Sequence, residues 1–172
     1  MPELVPVLTP GEIEHKVSAL AESISHDYEG GGLVLVGVLK GAFIFLADLA
    51  RKLTIPIEID FIGVSSYGSD TESRGTLTFT KELDLDVKGK DVLLVEDIVD
   101  TGLTLTGLVR HFQELKPRSV RTCAMIDKPE RRKEQVDVDY VGSRVSEGFL
   151  VGYGLDCAER YRNLPGVYEI RE

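Results

Sequence analysis

The sequence predicts an α/β protein built on a mostly parallel twisted sheet with helices on both faces. Apolar runs of strand length alternate with segments of helical spacing, which is the pattern of βαβ units. The runs at 33–38, 92–95 and 120–126 are continuously apolar, as in strands buried on both faces of a sheet. No linker or repeat divides the 172 residues, so we expect residues 1–172 to form a single domain.

A capping signal marks the first predicted helix. Thr9 is the expected cap, Pro10 lies in the first turn and Glu12 would complete a capping box. An apolar stripe at 3.6-residue spacing follows, comprising Ile13, Val17, Leu20, Ala21 and Ile24.

The later elements follow in alternation. We predict strands at 33–38, 57–64, 75–82, 92–95 and 120–126, and helices at 42–53 and between 105 and 115. Residues 65–75 are polar and join two of these strands. That composition is typical of a surface loop, and a lid over a site is the alternative.

The composition restricts the classes of function. The formal net charge is −9, from 29 acidic and 20 basic residues, which argues against a nucleic-acid or anionic-membrane surface. No apolar run reaches the ~18 residues of a membrane span, and no signal segment is recognised, so we expect a cytoplasmic protein. Two cysteines are too few for a disulfide framework, and Cys123 is predicted to be a buried small hydrophobe.

Basic residues form two clusters on this acidic chain. Lys128, Arg131, Arg132 and Lys133 make up the first, and Arg160 and Arg162 the second. Each cluster could recognise a small anion or an oligomer partner. For the first cluster, a solvated surface run is an equally good interpretation.

The segment 92–104 carries most of the chemical information. An apolar strand is followed by Glu96 and Asp97 and then by the run Asp100-Thr101-Gly102-Leu103-Thr104, before a predicted helix. A loop at a helix start can hold a phosphate on free N–H groups. Because the carboxylates would repel a bare phosphate, the ligand should also offer hydroxyls or a divalent cation. A phosphorylated sugar with magnesium meets both demands.

This segment resembles the 5-phosphoribosyl-1-diphosphate signature of the type I phosphoribosyltransferases. The segments 36–43, 65–68, 127–132 and 148–156 follow in the order found in hypoxanthine-guanine phosphoribosyltransferases, and the resemblance runs from about residue 9 to about residue 165. It implies the type I phosphoribosyltransferase fold with a small hood, formed by the N- and C-terminal segments. It also implies a mobile lid loop with Ser66 and Tyr67 at its leading end.

The resemblance implies roles around the sugar. Glu96 and Asp97 would hold the ribose hydroxyls, directly or through Mg²⁺, and the loop from Asp100 to Thr104 would hold the 5′-phosphate. Asp100 would lie beside N7 of the purine as general acid/base, a task that a carboxylate within hydrogen-bond reach can perform. A plain helix N-cap is the alternative for Asp100, and one residue could do both.

Other residues match positions of the family that bind the base. Lys128 would donate to the purine 6-oxo group, Phe149 would stack on the base, and the backbone of Leu150 would contact the base edge. A solvated lysine and a strand-core aromatic are the alternatives for the first two.

On the other side of the sugar, Asp156 would join Glu96 and Asp97 as a metal ligand. Lys40, Gly41 and Arg162 would bind pyrophosphate, and relatives have a cis bond where Leu39 precedes Lys40. Gly148 and Cys157 depart from the common pattern, which leaves the choice of 6-oxopurine open.

The implied activity is purine salvage with Mg²⁺ as cofactor. Hypoxanthine or guanine would react with 5-phosphoribosyl-1-diphosphate to give IMP or GMP and pyrophosphate. A transferase preferring xanthine and guanine is the first alternative, and an RNA-binding regulator of the same fold is disfavoured. Small-molecule substrates, a homodimer or homotetramer, and no nucleic-acid or membrane partner are expected.

Overall fold

The computed structural model describes residues 1–65 and 77–172, in which strands and helices alternate. The strands are β1 (Glu3–Leu8), β2 (Leu33–Leu39), β3 (Ile57–Ser65), β4 (Thr78–Lys81), β5 (Asp91–Val99), β6 (Ser119–Asp127), β7 (Tyr140–Arg144), β8 (Phe149–Val151) and β9 (Val167–Arg171). The helices are α1 (Pro10–Asp27), α2 (Phe43–Lys52) and α3 (Leu103–Glu114), with a 3₁₀ turn at Pro129–Arg131.

Six strands form a central sheet in the order β4-β3-β2-β5-β6-β7. Within the described part of this sheet, β3 and β4 pair in antiparallel fashion, and the other neighbours run parallel. In the middle of the sheet, Val36 pairs with Asp60 on one side and with Leu94 on the other. The predicted, mostly parallel sheet is therefore confirmed.

Alternate residues of the central strands face two separate apolar cores. Leu33 and Leu35 pack in one core with the apolar faces of α1 and α2. Val34 and Val36 pack in the other core with α3. Helices therefore cover both faces of the sheet, as predicted, and this explains why β2 and the 92–95 run of β5 are continuously apolar.

Helix α1 begins as the sequence indicates. Thr9 Oγ1 accepts a hydrogen bond from the Glu12 N–H at 3.1 Å, and the Glu12 carboxylate accepts one from the Thr9 N–H at 3.2 Å. The predicted apolar stripe of the helix is buried along its whole length. The capping box and the buried apolar stripe thus both support the same helix.

The two ends of the chain meet in a second, three-stranded sheet in the order β1-β9-β8. Both pairings are antiparallel, and Val5 lies opposite Glu169 in the register. The sequence interpretation placed no individual strand here. It also placed none at β7. The predicted strand at 92–95 ends at Val95, whereas the corresponding β5 continues to Val99.

Cys123 is buried with only 1% exposure, as predicted, and burial raises the pKa of its thiol far above the usual range. Among the described residues, no helix combines the length and the apolar character needed to cross a bilayer.

Candidate active site

The carboxyl ends of β2 and β5 open into a cleft of about 290 Å³. Clefts of open α/β sheets at this edge are the usual ligand sites of the class. Most residues predicted to bind the sugar, its phosphate and the pyrophosphate line it together: Lys40, Gly41, Glu96, Asp97, Asp100, Thr101, Gly102, Thr104, Asp156 and Arg162.

The predicted phosphate loop connects β5 to α3. Gly102 is the N-cap of α3, with φ +84°, so no side-chain hydrogen bond caps this helix. A β-carbon on Gly102 would lie 2.7 Å from Arg132 Cδ and 2.8 Å from the Glu134 carbonyl oxygen. Glycine is therefore required here both by conformation and by space. Leu103, the first residue of α3, is half-buried and its N–H makes only a long 3.4 Å contact to Thr101 Oγ1.

Asp100 precedes this helix but does not cap it, so the interpretation of Asp100 as the N-cap is wrong. Its Oδ1 atom is buried and has no hydrogen-bond partner within 1–65 and 77–172. Its Oδ2 atom lies 3.3 Å from Arg131 Nη1. A buried acceptor without a partner is costly unless a ligand satisfies it. The side chain is therefore available to a bound molecule.

Glu96 and Asp97 are adjacent carboxylates at the floor of the cleft. Glu96 is 7% exposed, and burial raises the pKa of its carboxyl well above the usual range, with a further rise from the Asp97 charge. Burial also raises the pKa of Asp97, although a hydrogen bond from the Ile98 N–H at 2.7 Å opposes this rise. A cation or a set of hydroxyl donors would relieve this concentration of buried negative charge.

Two glycines bring the opposite wall of the cleft close to Asp97. A β-carbon on Gly41 would lie 1.8 Å from Asp97 Oδ2, and one on Gly154 would lie 2.1 Å from the Gly41 carbonyl oxygen. Gly154 has φ +98°, and the Leu39-Lys40 peptide bond is cis, as the family resemblance implied. The loop after β2 is thus packed directly between Asp97 and the 152–154 segment.

Arg162 enters the cleft from the C-terminal segment. Its Nη1 atom donates to the Gly154 carbonyl oxygen at 2.7 Å, and its Nη2 atom lies 3.4 Å from Asp156 Oδ1. Its Nε atom is buried and has no hydrogen-bond partner in the described part of the chain. Glu159 joins this group, lying 3.2 Å from Arg162 Nη2 and 3.0 Å from Lys40 Nζ. The cations of this wall are therefore held in place by acids.

The described residues contain no group of three His, Cys, Asp or Glu side chains arranged to hold a metal ion. Magnesium, however, usually binds through one or two carboxylates and completes its shell with substrate phosphates and water. Glu96 and Asp97 offer oxygen ligands at the cleft floor, and Asp156 offers another on its wall. This donor set fits a magnesium ion that arrives with a phosphorylated substrate.

The residues predicted to bind the base lie on neighbouring elements and do not line the cleft itself. Lys128 is only 5% exposed, and its Nζ donates to the Gly148 carbonyl oxygen at 2.7 Å. Phe149 is 56% exposed at the start of β8, whereas Leu150 is buried. A solvated Lys128 and a core Phe149 are therefore both wrong. An exposed aromatic beside a held lysine remains free to contact a base.

Gly148, which departs from the common pattern, has a specific structural reason to be glycine. Its φ is +94°, and a β-carbon would lie 2.8 Å from Glu169 Cγ. The predicted lid residues Ser66 and Tyr67 lie outside the described residues.

Sequence reasoning missed several residues of the site. It gave no role to Gly154, to Glu159 or, beyond its place in the basic cluster, to Arg132, which bonds to the carbonyl oxygen of Asp100 at 3.2 Å. The glycine pair around Tyr153 was a visible signal of tight backbone packing. The two charged residues lack such a signal, since surface runs of similar composition are common.

Comparisons with known proteins agree on one family. The family model described as a phosphoribosyl transferase domain matches residues 8–158. A hypoxanthine-guanine phosphoribosyltransferase of Mycobacterium avium is 46% identical over 176 residues, covering 95% of this chain and 87% of that protein. One of Aquifex aeolicus is 46% identical over 167 residues, covering 96% and 94%. A crystal structure of a hypoxanthine-guanine phosphoribosyltransferase from Bacillus anthracis has a TM-score of 0.94 at 45% identity, covering 97% of this chain and 99% of that one.

Proposed function

This chain belongs to the phosphoribosyltransferase family, and we propose that it is a magnesium-dependent enzyme of purine salvage. It converts hypoxanthine or guanine, with 5-phosphoribosyl-1-diphosphate, to IMP or GMP and pyrophosphate. The relatives named above act as hypoxanthine-guanine phosphoribosyltransferases, and they match this chain over nearly its whole length.

One observation carries the proposal: a single cleft joins the buried Glu96 carboxylate and the half-buried Asp97 carboxylate to a glycine-capped helix start and to the half-buried guanidinium of Arg162. Glu96 and Asp97 suit the two ribose hydroxyls, and the loop from Asp100 to Thr104 suits the 5′-phosphate. Arg162 and the backbone after β2 suit the pyrophosphate, since a guanidinium has the planar donor geometry that phosphate oxygens accept.

In the proposed reaction, the purine N9 forms a bond to the sugar C1 while the bond from C1 to the pyrophosphate oxygen breaks. The purine must give up one proton during this exchange. Asp100 has a buried oxygen that finds no partner among the described residues, and in this role it accepts or shares that proton. Arg131, 3.3 Å from the other oxygen, keeps the carboxylate oriented.

The remaining catalysis comes from position and charge. Glu96 and Asp97 hold the sugar in place while positive charge develops at C1, and their negative charge stabilises that charge. Glu96, Asp97 and Asp156 are the residues that would hold magnesium, and the bound ion would supply positive charge opposite the negative charge of the pyrophosphate.

Lys128 accounts for selection of the base. An ammonium group only donates, so it favours a 6-oxo group over the 6-amino group of adenine, which also donates. Its buried position beside Gly148 supports this role, because a directed lysine discriminates better than a mobile one. Phe149 stacks on the base, and the Leu150 backbone contacts its edge.

The direct test is product formation from hypoxanthine, guanine, xanthine and adenine, each with 5-phosphoribosyl-1-diphosphate and with or without magnesium. We expect IMP and GMP, no AMP, and loss of turnover in excess chelator. Full activity without magnesium would contradict the metal assignment. A clear preference for xanthine and guanine would favour the alternative transferase.

Several finer properties belong to the same proposal. We identify the predicted hood with the small sheet of β1, β9 and β8, within a single domain of residues 1–172. A lid at 66–75, a homodimer or homotetramer and a cytoplasmic location stay predictions. The two free cysteines fit a reducing compartment.

A further inference from the structure

The turn that follows β6 connects the proposed base site to the proposed phosphate site. It starts at Lys128, passes through the 3₁₀ turn Pro129–Arg131 and reaches Arg132. Its backbone is hydrogen-bonded to the last residue of β5 and to the loop that follows β5. The Lys128 N–H donates to the Val99 carbonyl oxygen at 2.8 Å, and the Lys133 N–H donates to the Thr101 carbonyl oxygen at 2.8 Å.

Arg132 is the side chain that fills the space between these two segments. Only 13% of the side chain is exposed. One terminal nitrogen pairs with the Asp127 carboxylate at the end of β6, and the other donates to the Val136 carbonyl oxygen at 3.0 Å. Its Nε donates to the Asp100 carbonyl oxygen at 3.2 Å. One guanidinium therefore contacts the base-site strand, the following loop and the backbone of Asp100.

The same side chain also packs against the phosphate loop. Its Cδ occupies the position in front of Gly102, where a β-carbon would come within 2.7 Å. The three nitrogens of a guanidinium are held apart in one plane, and each makes one of these contacts. A lysine carries all its donors on one nitrogen. The three contacts therefore require arginine, and this distinguishes Arg132 from the exposed Lys133 of the same basic cluster.

We propose that Arg132 is a positioning residue, which holds the backbone of Asp100 and the phosphate loop against the turn that carries Lys128. Base and sugar phosphate then sit at a fixed distance and angle, as attack of N9 on C1 requires. This inference rests on the proposed function for its catalytic part. Its structural part, the attachment of the 100–104 loop through Arg132, stands without it.

The test variant is Arg132→Lys, which keeps a positive charge for Asp127 but cannot make all three contacts. The matched control is Arg144→Lys, because Arg144 lies 3.9 Å from the same Asp127 carboxylate, is 71% exposed and belongs to β7. Asp127→Asn is a second variant that weakens the anchor of Arg132 while leaving the arginine in place. Amide hydrogen exchange of the ligand-free protein and steady-state kinetics are measured for each.

In Arg132→Lys we expect exchange to speed up at 99–104 and 128–134 but not in α1 or β2. We expect kcat to fall by about 10²-fold, the loss typical of a reacting group displaced by about 1 Å. The melting temperature should stay close to that of wild type, and Asp127→Asn should change in the same direction. Arg144→Lys should match wild type in exchange and kcat.

Unchanged exchange at 99–104 together with unchanged kcat in Arg132→Lys would overturn the inference. So would a uniform rise in exchange with a lower melting temperature and normal kcat, because Arg132 would then be a purely structural residue. Wild-type protein that forms no nucleotide from any purine would instead refute the proposed function, and the exchange data would still decide whether Arg132 holds the loop.

Discussion

The Asp97 carboxylate lies so close to the α-carbon of Gly41 that no side chain fits between them. A β-carbon at Gly41 would lie 1.8 Å from Asp97 Oδ2 and 2.6 Å from Asp97 Cγ. The carboxylate proposed to hold ribose is thus positioned by the loop proposed to bind pyrophosphate. The two halves of the sugar site depend on a single glycine.

Gly41→Ala should therefore lower kcat/KM for 5-phosphoribosyl-1-diphosphate by about 10²-fold, because Asp97 or the loop must move by about 1 Å or more. Gly32→Ala is the control. Gly32 directly precedes β2, the strand that Gly41 follows, and a β-carbon on Gly32 would lie 3.8 Å from its nearest neighbour. Equal kinetics for Gly41→Ala and wild type would show that the cleft tolerates this shift.

Much of the central fold could be predicted because the local sequence pattern of each strand and helix agrees with its place in the sheet. The apolar runs of β2 and β5 are continuous and buried on both faces, so their pattern needs no distant information. Likewise, Thr9, Pro10 and Glu12 lie within four residues of one another and determine the start of α1.

Elements that depend on distant partners were not located. β8 has only three residues, and it is a strand because Leu150 pairs with Glu169 of β9. The pairing of β1 with β9 joins residues at opposite ends of the chain, which no periodicity can indicate.

The candidate site likewise contains residues that could be identified from the sequence and residues that could not. The signature residues from Glu96 to Thr104 were identified by type and order. The burial of Lys128 was not, because it depends on the Gly148 carbonyl oxygen 20 positions away. Arg132 was hidden in a run of basic residues, where composition alone cannot separate a buried guanidinium from solvated ones.

Lys128→Ala should raise KM for hypoxanthine much more than KM for 5-phosphoribosyl-1-diphosphate. Loss of a charge-assisted donor to the 6-oxo group is worth ~1.5–3 kcal/mol. Lys133→Ala removes the same charge from an exposed position in the same segment and should leave both constants unchanged. If Lys128→Ala raised both KM values equally, a general defect of the loop would be the better explanation.

Asp60 should make stability depend on pH in the acid range. It is 5% exposed, and its carboxylate accepts hydrogen bonds from the N–H groups of Phe61 at 2.7 Å, Asp84 at 2.8 Å and Leu85 at 2.9 Å. Burial alone would raise the pKa of Asp60, but these bonds and Lys81 outweigh it, so its pKa lies below the usual value. The resulting stabilisation is complete above the unfolded pKa of ~3.9 and is lost as pH falls through the lower folded pKa.

Asp60→Asn should lower the free energy of unfolding by ~1–3 kcal/mol at pH 7 and flatten its dependence on pH below ~4. Urea denaturation at a series of pH values measures both effects. Glu58→Gln is the control on the same strand, since Glu58 pairs with Lys90 at 3.1 Å while 51% exposed, and such pairs contribute little. A pH profile of Asp60→Asn identical to that of wild type would rule out this role.

Asp100→Asn tests the proposed chemistry while leaving the fold intact. The helix start at Gly102 receives no cap from Asp100, so no capping energy is lost with the charge. The amide keeps the shape of the side chain but accepts a proton poorly. We expect kcat to fall by ~10²–10⁴, with 5-phosphoribosyl-1-diphosphate binding and melting temperature nearly unchanged. Kinetics, titration calorimetry and thermal unfolding of the same preparation give the three values. A stability loss with kcat almost intact would mean that the Asp100 carboxylate holds the loop and takes no part in proton transfer, and the general base would have to be sought elsewhere in the cleft.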